Sequence, residues 1–447
     1  MTMSKRATMF VAMLMTCVAV SLSAEPQQSP QPAHVEPPAA VAASPTAPFD
    51  VEGATRAYLS KQSPEAKAKS DAYFEGGYWL QLWNFLYTLA VAWLLLGSGL
   101  SARMKRLAER ITQRRWLQTG IYAIQYSIVA PLLVAPLTLY EGFFREHKYG
   151  LATQTLGAWL SEQATVLVVE ALLMAIALVP LYGVFRKAPK RWWLWGAGVG
   201  VAFLALVMLI GPVYLDPLFN TYKPLGEGQV RQEILSLARA NGIEANDVYE
   251  FDASRQTTRI SANVSGLFNT MSIRLNDNLL ERCTLAEIKS VMAHEMGHYV
   301  LHHGGKMIVF FGVVLVGGFL FVRSSFDGVR AKWGARWGVT GIDDVSGFPL
   351  LVALFAVYLF AITPLLNTYI RSAEAEADIF GLHAAGEPDG FAEAALKLGD
   401  YRKLDPGPIE EWIFFDHPSG RARIHMAMTW KAEHLQDSRV AAVSQGD

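Results

Sequence analysis

Six long apolar segments, separated by shorter polar stretches, dominate the pattern of the chain. Each approaches the roughly 20 residues that an α-helix needs to cross a bilayer. Helices that pack on a soluble core keep one polar face, so a soluble protein would not give six such runs. The pattern predicts a mainly α, polytopic α-helical membrane protein. The predicted spans lie near residues 78–100, 118–141, 164–185, 193–215, 306–322 and 348–366.

The chain begins with a segment typical of a signal peptide. Lys5 and Arg6 precede an apolar run at 9–20, and small residues follow. The run is short for a span, so residues 1–24 are expected to form a cleaved leader, or a first membrane segment if they are retained. Residues 25–77 are rich in proline and alanine and then polar, which predicts a flexible linker followed by a polar helix.

The polar region between the fourth and fifth spans has the pattern of β-strands. Val248–Phe251 is one candidate strand, and residues 258–264 and 271–275 alternate around a turn at 265–269. This pattern predicts a small β-hairpin. The resulting division of the chain is four transmembrane helices at 78–215, a soluble core at 216–305, two transmembrane helices at 306–366, and a further soluble helix and tail at 367–447.

Basic residues predict the orientation of the spans. They crowd the loops after the first, third and fifth spans, which share one side if the spans alternate. Cytoplasmic loops carry such an excess. The soluble regions are therefore expected outside the cytoplasm, in a bacterial inner membrane. The basic residues are Arg103, Lys105, Arg106, Arg110, Arg114, Arg115, Arg186, Lys187, Lys190, Arg191, Arg323, Arg330, Lys332 and Arg336.

Composition adds exclusions. The net charge of −1 does not predict nucleic-acid binding, whereas 52% apolar and only 18% charged residues predict contact with membrane lipids. Cys17 and Cys283 are the two cysteines of the sequence. A disulfide framework and a cysteine-rich zinc site are therefore excluded.

The motif His294-Glu295-Met-Gly-His298 carries the candidate chemistry. On a helix the two histidines lie four residues apart and project from one face, where they can share a zinc ion. Glu295 beside them is expected to act as a general base on a water molecule. Thr284 and Glu287 form a capping-box pattern at the start of this helix.

A zinc site of this type needs a third protein ligand. The metzincin pattern fails, because Leu301 and Gly304 stand where it requires glycine and histidine. The better candidate is Glu374, just past the sixth span, with Asp378 one turn later to orient a ligand histidine. Glu376 is the alternative, expected to be solvated. The second histidine and the third ligand each lie about eight residues from a span, so both are expected roughly 12 Å above one membrane face.

Three protein ligands leave zinc an open position for hydrolytic chemistry. The glutamate of the motif is expected to take a proton from water during attack on a peptide carbonyl and to return it to the leaving amine. The strand edge at 258–264 is expected to pair with an extended substrate. His417 and Arg423 are candidates for hydrogen bonding to the oxyanion, with a structural helix start as the alternative. His302 shares the face of His298 one turn later and is expected to be an interfacial histidine, with a metal ligand as the alternative. No role is predicted for His303.

The chain resembles the CAAX prenyl protease type I family of integral-membrane zinc metalloendopeptidases, of gluzincin type. The resemblance implies that Glu374 is the third zinc ligand, that Asp378 supports a ligand, and that His417 and Arg423 face substrate near the oxyanion. It also implies a ring of long helices around a chamber, capped by the zinc domain. The stretches that carry it are His294–His298, Arg371–Asp378, His417–Pro418 with Arg423–Ile424, Phe144–Gly150 with Thr155, and Asp216–Leu225.

Two departures from the family pattern change the expectations. The family usually has Asn-Ala on the substrate-facing strand, where this chain has Ser261-Ala262 and a displaced Asn263. These three residues are the candidate substrate-binding positions, with the side-chain contact altered. Family members also generally have seven spans and a cytosol-facing site, in contrast to the orientation that the basic residues predict here.

The sequence therefore predicts a membrane-embedded endopeptidase with one zinc ion per chain. Its expected substrates are peptides or proteins that are membrane-associated or prenylated. A transporter or channel with a structural zinc is one alternative. A non-catalytic membrane chaperone or quality-control protein is the other.

Overall fold

The computed structural model describes residues 49–265 and 272–444. The predicted leader and the linker residues 25–48 lie outside these ranges. The helices are α1 (Val51–Leu59), α2 (Pro64–Gly97), α3 (Leu100–Ile111), α4 (Arg115–Leu139), α5 (Leu156–Lys187), α6 (Trp192–Ile210), α7 (Gln229–Ala240), α8 (Asp277–Arg282), α9 (Leu285–Val300), α10 (His303–Trp337), α11 (Phe348–Ala361), α12 (Thr363–Ala385), α13 (Pro388–Lys397), α14 (Pro408–Phe414) and α15 (Gly420–Ser444). The strands are β1 (Tyr222–Pro224), β2 (Val248–Phe251), β3 (Ala262–Ser265) and β4 (Ser272–Asn276).

Five helices in the described ranges are long and apolar enough to cross a membrane: α2, α4 with its continuation to Lys148, α5, α6 with its continuation to Leu218, and α10. Several extend beyond the apolar segments of the sequence, because polar turns continue the helix outside the predicted span. α2 begins at Pro64, where the Ser63 hydroxyl accepts a hydrogen bond from the Ala66 amide. α10 likewise runs through residues 323–337, which were expected to form a loop.

The predicted sixth span, 348–366, is a bent pair of helices. α11 and α12 meet at Ile362 with an angle of 61° between them. Pro364 lacks the amide hydrogen that a continuous helix would direct toward the preceding turn, and it disfavours helical geometry in the residue before it. The chain therefore changes direction here, and α12 packs against α9.

The basic segments meet at one end of the long helices. Lys105 on α3 forms an ion pair of 2.9 Å with the buried Asp344. Arg186 at the end of α5 donates to the Thr119 hydroxyl near the start of α4, at 3.4 Å. α10 begins next to α9 and runs toward this end, where Gly338, directly after the helix, lies against Ala102 of α3. This arrangement agrees with spans that alternate in direction. The basic residues were expected in loops, but most of them lie on helices.

A small mixed sheet forms the centre of the region between α6 and α10. Its strand order is β1-β2-β4-β3. β3 and β4 form the predicted antiparallel pair, whereas β2 joins β4 in parallel, which the hairpin pattern did not predict. β3 also begins four residues later than the predicted strand, and Thr257, just before the predicted start, pairs with Ala152 outside the sheet. β3 is the edge strand that lies beside α9.

Helix α9 is fixed by its cap and by its apolar face. Thr284 and Glu287 form the predicted capping box. Met292 and Met296 are fully buried against the sheet and α7. On another side, a Cβ added at Gly381 of α12 would lie 3.0 Å from the His294 amide nitrogen, which is closer than ordinary contact. This glycine therefore allows α12 to approach α9 closely enough for their side chains to meet.

Candidate metal centre

Two imidazoles and one carboxylate converge where α9 and α12 cross. His294 Nε2 lies 3.3 Å from Glu374 Oε2, and His298 Nε2 lies 3.6 Å from Glu374 Oε1. The two Nε2 atoms are 3.2 Å apart. A tetrahedral zinc ion with ligand bonds of about 2.1 Å separates its ligand atoms by about 3.4 Å. The spacing of these three groups therefore fits one zinc ion.

A carboxylate close behind His294 supports the same fit. The Nδ1 atom of His294 lies 2.7 Å from Asp378 Oδ1, so its proton is directed away from the centre. Its Nε2 then presents a lone pair toward the lone pairs of Glu374 and of His298. Burial disfavours protonated His294, but Asp378 and Glu374 outweigh this and raise the pKa of His294 to about 10. The two carboxylates therefore favour a positive charge between His294 and Glu374, which a metal cation can supply.

Glu295 lies next to the converging ligands, on the same helix. Its side chain is partly buried, and burial raises the pKa of Glu295, although His294 and His298 oppose the shift. The carboxylate is close enough to His294, His298, Glu374 and His417 to interact electrostatically with each of them. A carboxylate of raised pKa at the border of a metal site can accept and return a proton.

The two tail candidates take different places. His417 Nε2 lies 3.2 Å from Glu374 Oε2, and its Nδ1 lies 2.8 Å from Asp416 Oδ1. Arg423 was expected to face substrate. Its guanidinium is instead buried and donates to Asp378 Oδ1, the same carboxylate oxygen that lies beside His294 Nδ1. The structure thus brings His417 to the centre and places Arg423 behind it.

The three candidate strand residues lie at the edge of the sheet beside α9. The Ser261 amide donates to Asn276 Oδ1, and its carbonyl accepts from the Asn276 amide, both at 3.0 Å. Ala262 is buried, and Asn263 is opposite Arg274 in the antiparallel register. The outer edge of β3 pairs with no other strand in the described ranges. Its backbone groups can therefore pair with an extended peptide.

A buried polar cluster joins the membrane helices to the start of this strand, and sequence reasoning gave it no role. Glu146 accepts hydrogen bonds from Arg259 at 2.7 Å and from the Tyr73 hydroxyl at 2.6 Å. Arg259 precedes the candidate strand residues by two positions. Glu146 lies in the stretch 144–150, which carries part of the family resemblance. The sequence pattern does not identify Arg259 of the soluble region as its partner.

A fold of long apolar helices with an H-E-x-x-H helix facing a carboxylate defines an integral-membrane metalloprotease. Residues 224–431 match the family model described as peptidase family M48, and residues 54–221 match the model described as CAAX prenyl protease N-terminal, five membrane helices. Together the two matches cover most of the chain. The chain belongs to peptidase family M48, and its resemblance to the CAAX prenyl protease type I family is confirmed.

Individual relatives agree with this assignment. The uncharacterized metalloprotease YhfN of Bacillus subtilis is 29% identical, over 77% of this chain and 82% of that protein. The CAAX prenyl protease 1 of Saccharomyces cerevisiae is 25% identical, over 67% of this chain and 69% of that one. The crystal structure of S. mikatae Ste24p superposes with a TM-score of 0.67 at 21% identity, over 84% and 94% of the two chains. The predicted mainly α membrane fold with a small β-region is confirmed.

Proposed function

We propose that the protein is a zinc-dependent endopeptidase that hydrolyses peptide bonds of membrane-associated proteins. The observation that carries the proposal is the convergence of His294, His298 and Glu374 at distances that suit one zinc ion. Membership of the metalloprotease family supports the same chemistry. The test is cleavage of a peptide panel by the purified protein, with and without a chelator; equal cleavage under both conditions would contradict zinc dependence.

In this proposal His294, His298 and Glu374 hold the zinc ion. A zinc ion held there supplies a Lewis acid for the peptide carbonyl and lowers the pKa of water toward neutrality. The carboxylate of Glu295 takes a proton from the attacking water as the water oxygen bonds to the carbonyl carbon. It then returns that proton to the amine nitrogen as the carbon–nitrogen bond breaks. His417 Nε2–H, at the border of the centre, donates a hydrogen bond to the oxyanion.

The free edge of β3 is proposed to hold the substrate backbone. Ala262 and Asn263 lie on β3, next to the catalytic helix, and Ser261 immediately precedes them, so an extended peptide that pairs there passes over the metal centre. The substrate class is suggested by the relatives, several of which are named CAAX prenyl protease 1. We therefore propose membrane-associated substrates, including those with a prenyl-like lipid, as the first panel to test.

Replacing Asp378 with Asn is expected to weaken zinc binding by about 10–100-fold, the usual effect of losing an outer partner of a ligand histidine. The amide oxygen can still accept from His294 Nδ1–H, but the negative charge that strengthens the imidazole as a ligand is lost. The measurement is the zinc dissociation constant by competition with a chromophoric chelator. The exposed Asp389 → Asn variant serves as the control, and equal affinity in the two variants would contradict the role of Asp378.

The metal centre is proposed to lie on the non-cytoplasmic side of a bacterial inner membrane, because the basic segments meet at the opposite end of the long helices. A tag after Asp447 is then expected to be removed by a protease added to intact spheroplasts. A tag inserted between Lys187 and Lys190 is the matched control and is expected to be protected. Protection of the C-terminal tag together with loss of the inserted one would reverse the orientation.

A further inference from the structure

The two histidines of the metal centre have different outer partners. His294 has the carboxylate of Asp378 behind it, whereas His298 has a second imidazole. The Nδ1 atoms of His298 and His303 are 2.8 Å apart. The side chain of His303 is almost fully buried, with 2% of its surface exposed, and its Nε2 lies 3.1 Å from Glu376 Oε2. A continuous hydrogen-bonded line thus runs from the centre through His303 to a carboxylate that is half exposed.

The chemistry of the centre determines where the protons lie along this line. His298 Nε2 faces Glu374 and His294 Nε2, and as a metal ligand it carries no proton. The proton of His298 is therefore on Nδ1, where it is donated to His303 Nδ1. His303 in turn carries its own proton on Nε2 and donates it to Glu376. Each imidazole has one donor and one acceptor in this arrangement, so both are fully satisfied.

We propose that His303 and Glu376 are positioning residues for the metal centre: they fix the ring orientation and the tautomer of His298. The inference rests on the proposed function, because it assigns His298 as a zinc ligand. Glu376, which was expected to be a solvated alternative to Glu374, is the outer end of this line. Lys306 on the next turn of α10 lies 3.1 Å from the same carboxylate oxygen and holds it in place.

The backbone between the two helices is built to bring His303 back to the centre. α9 ends at Val300, and His302 has a φ of 55°, a left-handed conformation that residues other than glycine rarely adopt. α10 then begins with His303, whose side chain turns toward His298 five residues earlier. A straight continuation of α9 would carry position 303 to another face of the helix. The break after Leu301 therefore places the second imidazole.

The experiment compares His303→Ala, His303→Asn and His302→Asn in the full-length protein purified in detergent. The first removes the acceptor for His298 Nδ1–H. The second restores an acceptor and a donor in a shorter side chain. The third removes the neighbouring imidazole, and asparagine tolerates the left-handed conformation at that position. Two quantities are measured for each variant: the zinc dissociation constant by chelator competition, and the visible absorption spectrum after Co²⁺ is added in place of zinc.

His303→Ala is expected to bind zinc about 10–100-fold more weakly and to change the Co²⁺ spectrum, because the His298 ring loses its orientation. His303→Asn is expected to recover most of the affinity and the wild-type spectrum, and His302→Asn is expected to match the wild type. Wild-type affinity and spectrum in His303→Ala would overturn the proposal. If His302→Asn and His303→Asn both bound zinc much more weakly than the wild type, and to the same extent, the proposal would also be overturned. The loss of affinity would then come from disturbing the break between the two helices.

Glu376→Gln provides a second test that does not depend on the folding of His303→Ala. It is expected to weaken zinc binding by a few-fold, because the amide still accepts from His303 but without the charge. An unchanged dissociation constant together with an unchanged Co²⁺ spectrum in this variant would remove Glu376 from the line. All of these measurements concern metal binding, so failure of this inference leaves the proposed hydrolysis standing. Conversely, absence of peptide cleavage by the wild type would contradict only the proposed hydrolysis.

Discussion

Replacing Glu295 with Gln is expected to lower kcat for peptide hydrolysis by about 10²–10⁴-fold, the usual contribution of a general base. The amide has nearly the shape of the carboxylate, but it cannot take the proton from the attacking water. The metal ligands on either side of Glu295 and on α12 are unchanged, so the zinc content per chain is expected to stay at the wild-type value. The measurement is kcat on the cleaved peptides together with metal content by mass spectrometry.

Glu244→Gln is the matched control for this experiment. Glu244 is exposed and lies in the same soluble region, so this variant is expected to keep the wild-type kcat. Loss of cleavage with zinc retained in the Glu295 variant would separate a hydrolase from a transporter or a chaperone that holds a structural zinc. Wild-type cleavage by the Glu295 variant would assign the proton transfer to another group.

Replacing Glu374 with Gln is expected to weaken zinc binding by at least about 10²-fold, because the loss of a ligand exceeds the 10–100-fold effect of losing an outer partner. The two carboxylate oxygens lie 3.3 and 3.6 Å from the histidine Nε2 atoms. An amide of the same size offers a neutral and much weaker oxygen ligand. Peptide cleavage is expected to fall with the zinc content and to recover only at high added zinc. The measurement is the zinc dissociation constant alongside kcat/KM.

Glu376→Gln is the control on the same helix. Its carboxylate reaches His303 and Lys306 but none of the three converging ligands, so its effect on zinc affinity is expected to be at most about tenfold. Equal losses of zinc affinity in the two variants would mean that the negative charge of this helix matters, and not ligation by Glu374. A Glu374 variant that binds zinc like the wild type would place the third ligand elsewhere.

Much of this protein follows from local pattern. A run of about 20 apolar residues has few alternatives to a membrane helix, since the bilayer cannot satisfy an open backbone. The capping box of Thr284 and Glu287 set the start of α9, and the spacing of His294 and His298 placed both imidazoles on one face. These features depend on contacts within one or two helical turns. They are therefore readable from the residues that make them.

Contacts between distant segments were decided only by the tertiary structure. The 61° bend at Ile362 and the close approach at Gly381 bring Glu374 to the histidines, whereas the sequence indicated only a plausible height above the membrane. The parallel pairing of β2 with β4 and the hydrogen bond from Arg423 to Asp378 also depend on packing between remote elements.

His303 shows the difference most directly. Periodicity along a continuous helix places it away from His298, and one left-handed residue, His302, turns it back to within 2.8 Å. The amino-acid sequence by itself determined the membrane helices, the cap and the paired imidazoles, because those rest on short-range backbone geometry. The tertiary structure decided the third ligand's approach and the outer partners of the histidines, because bends and close helix crossings depend on interactions between remote parts of the chain.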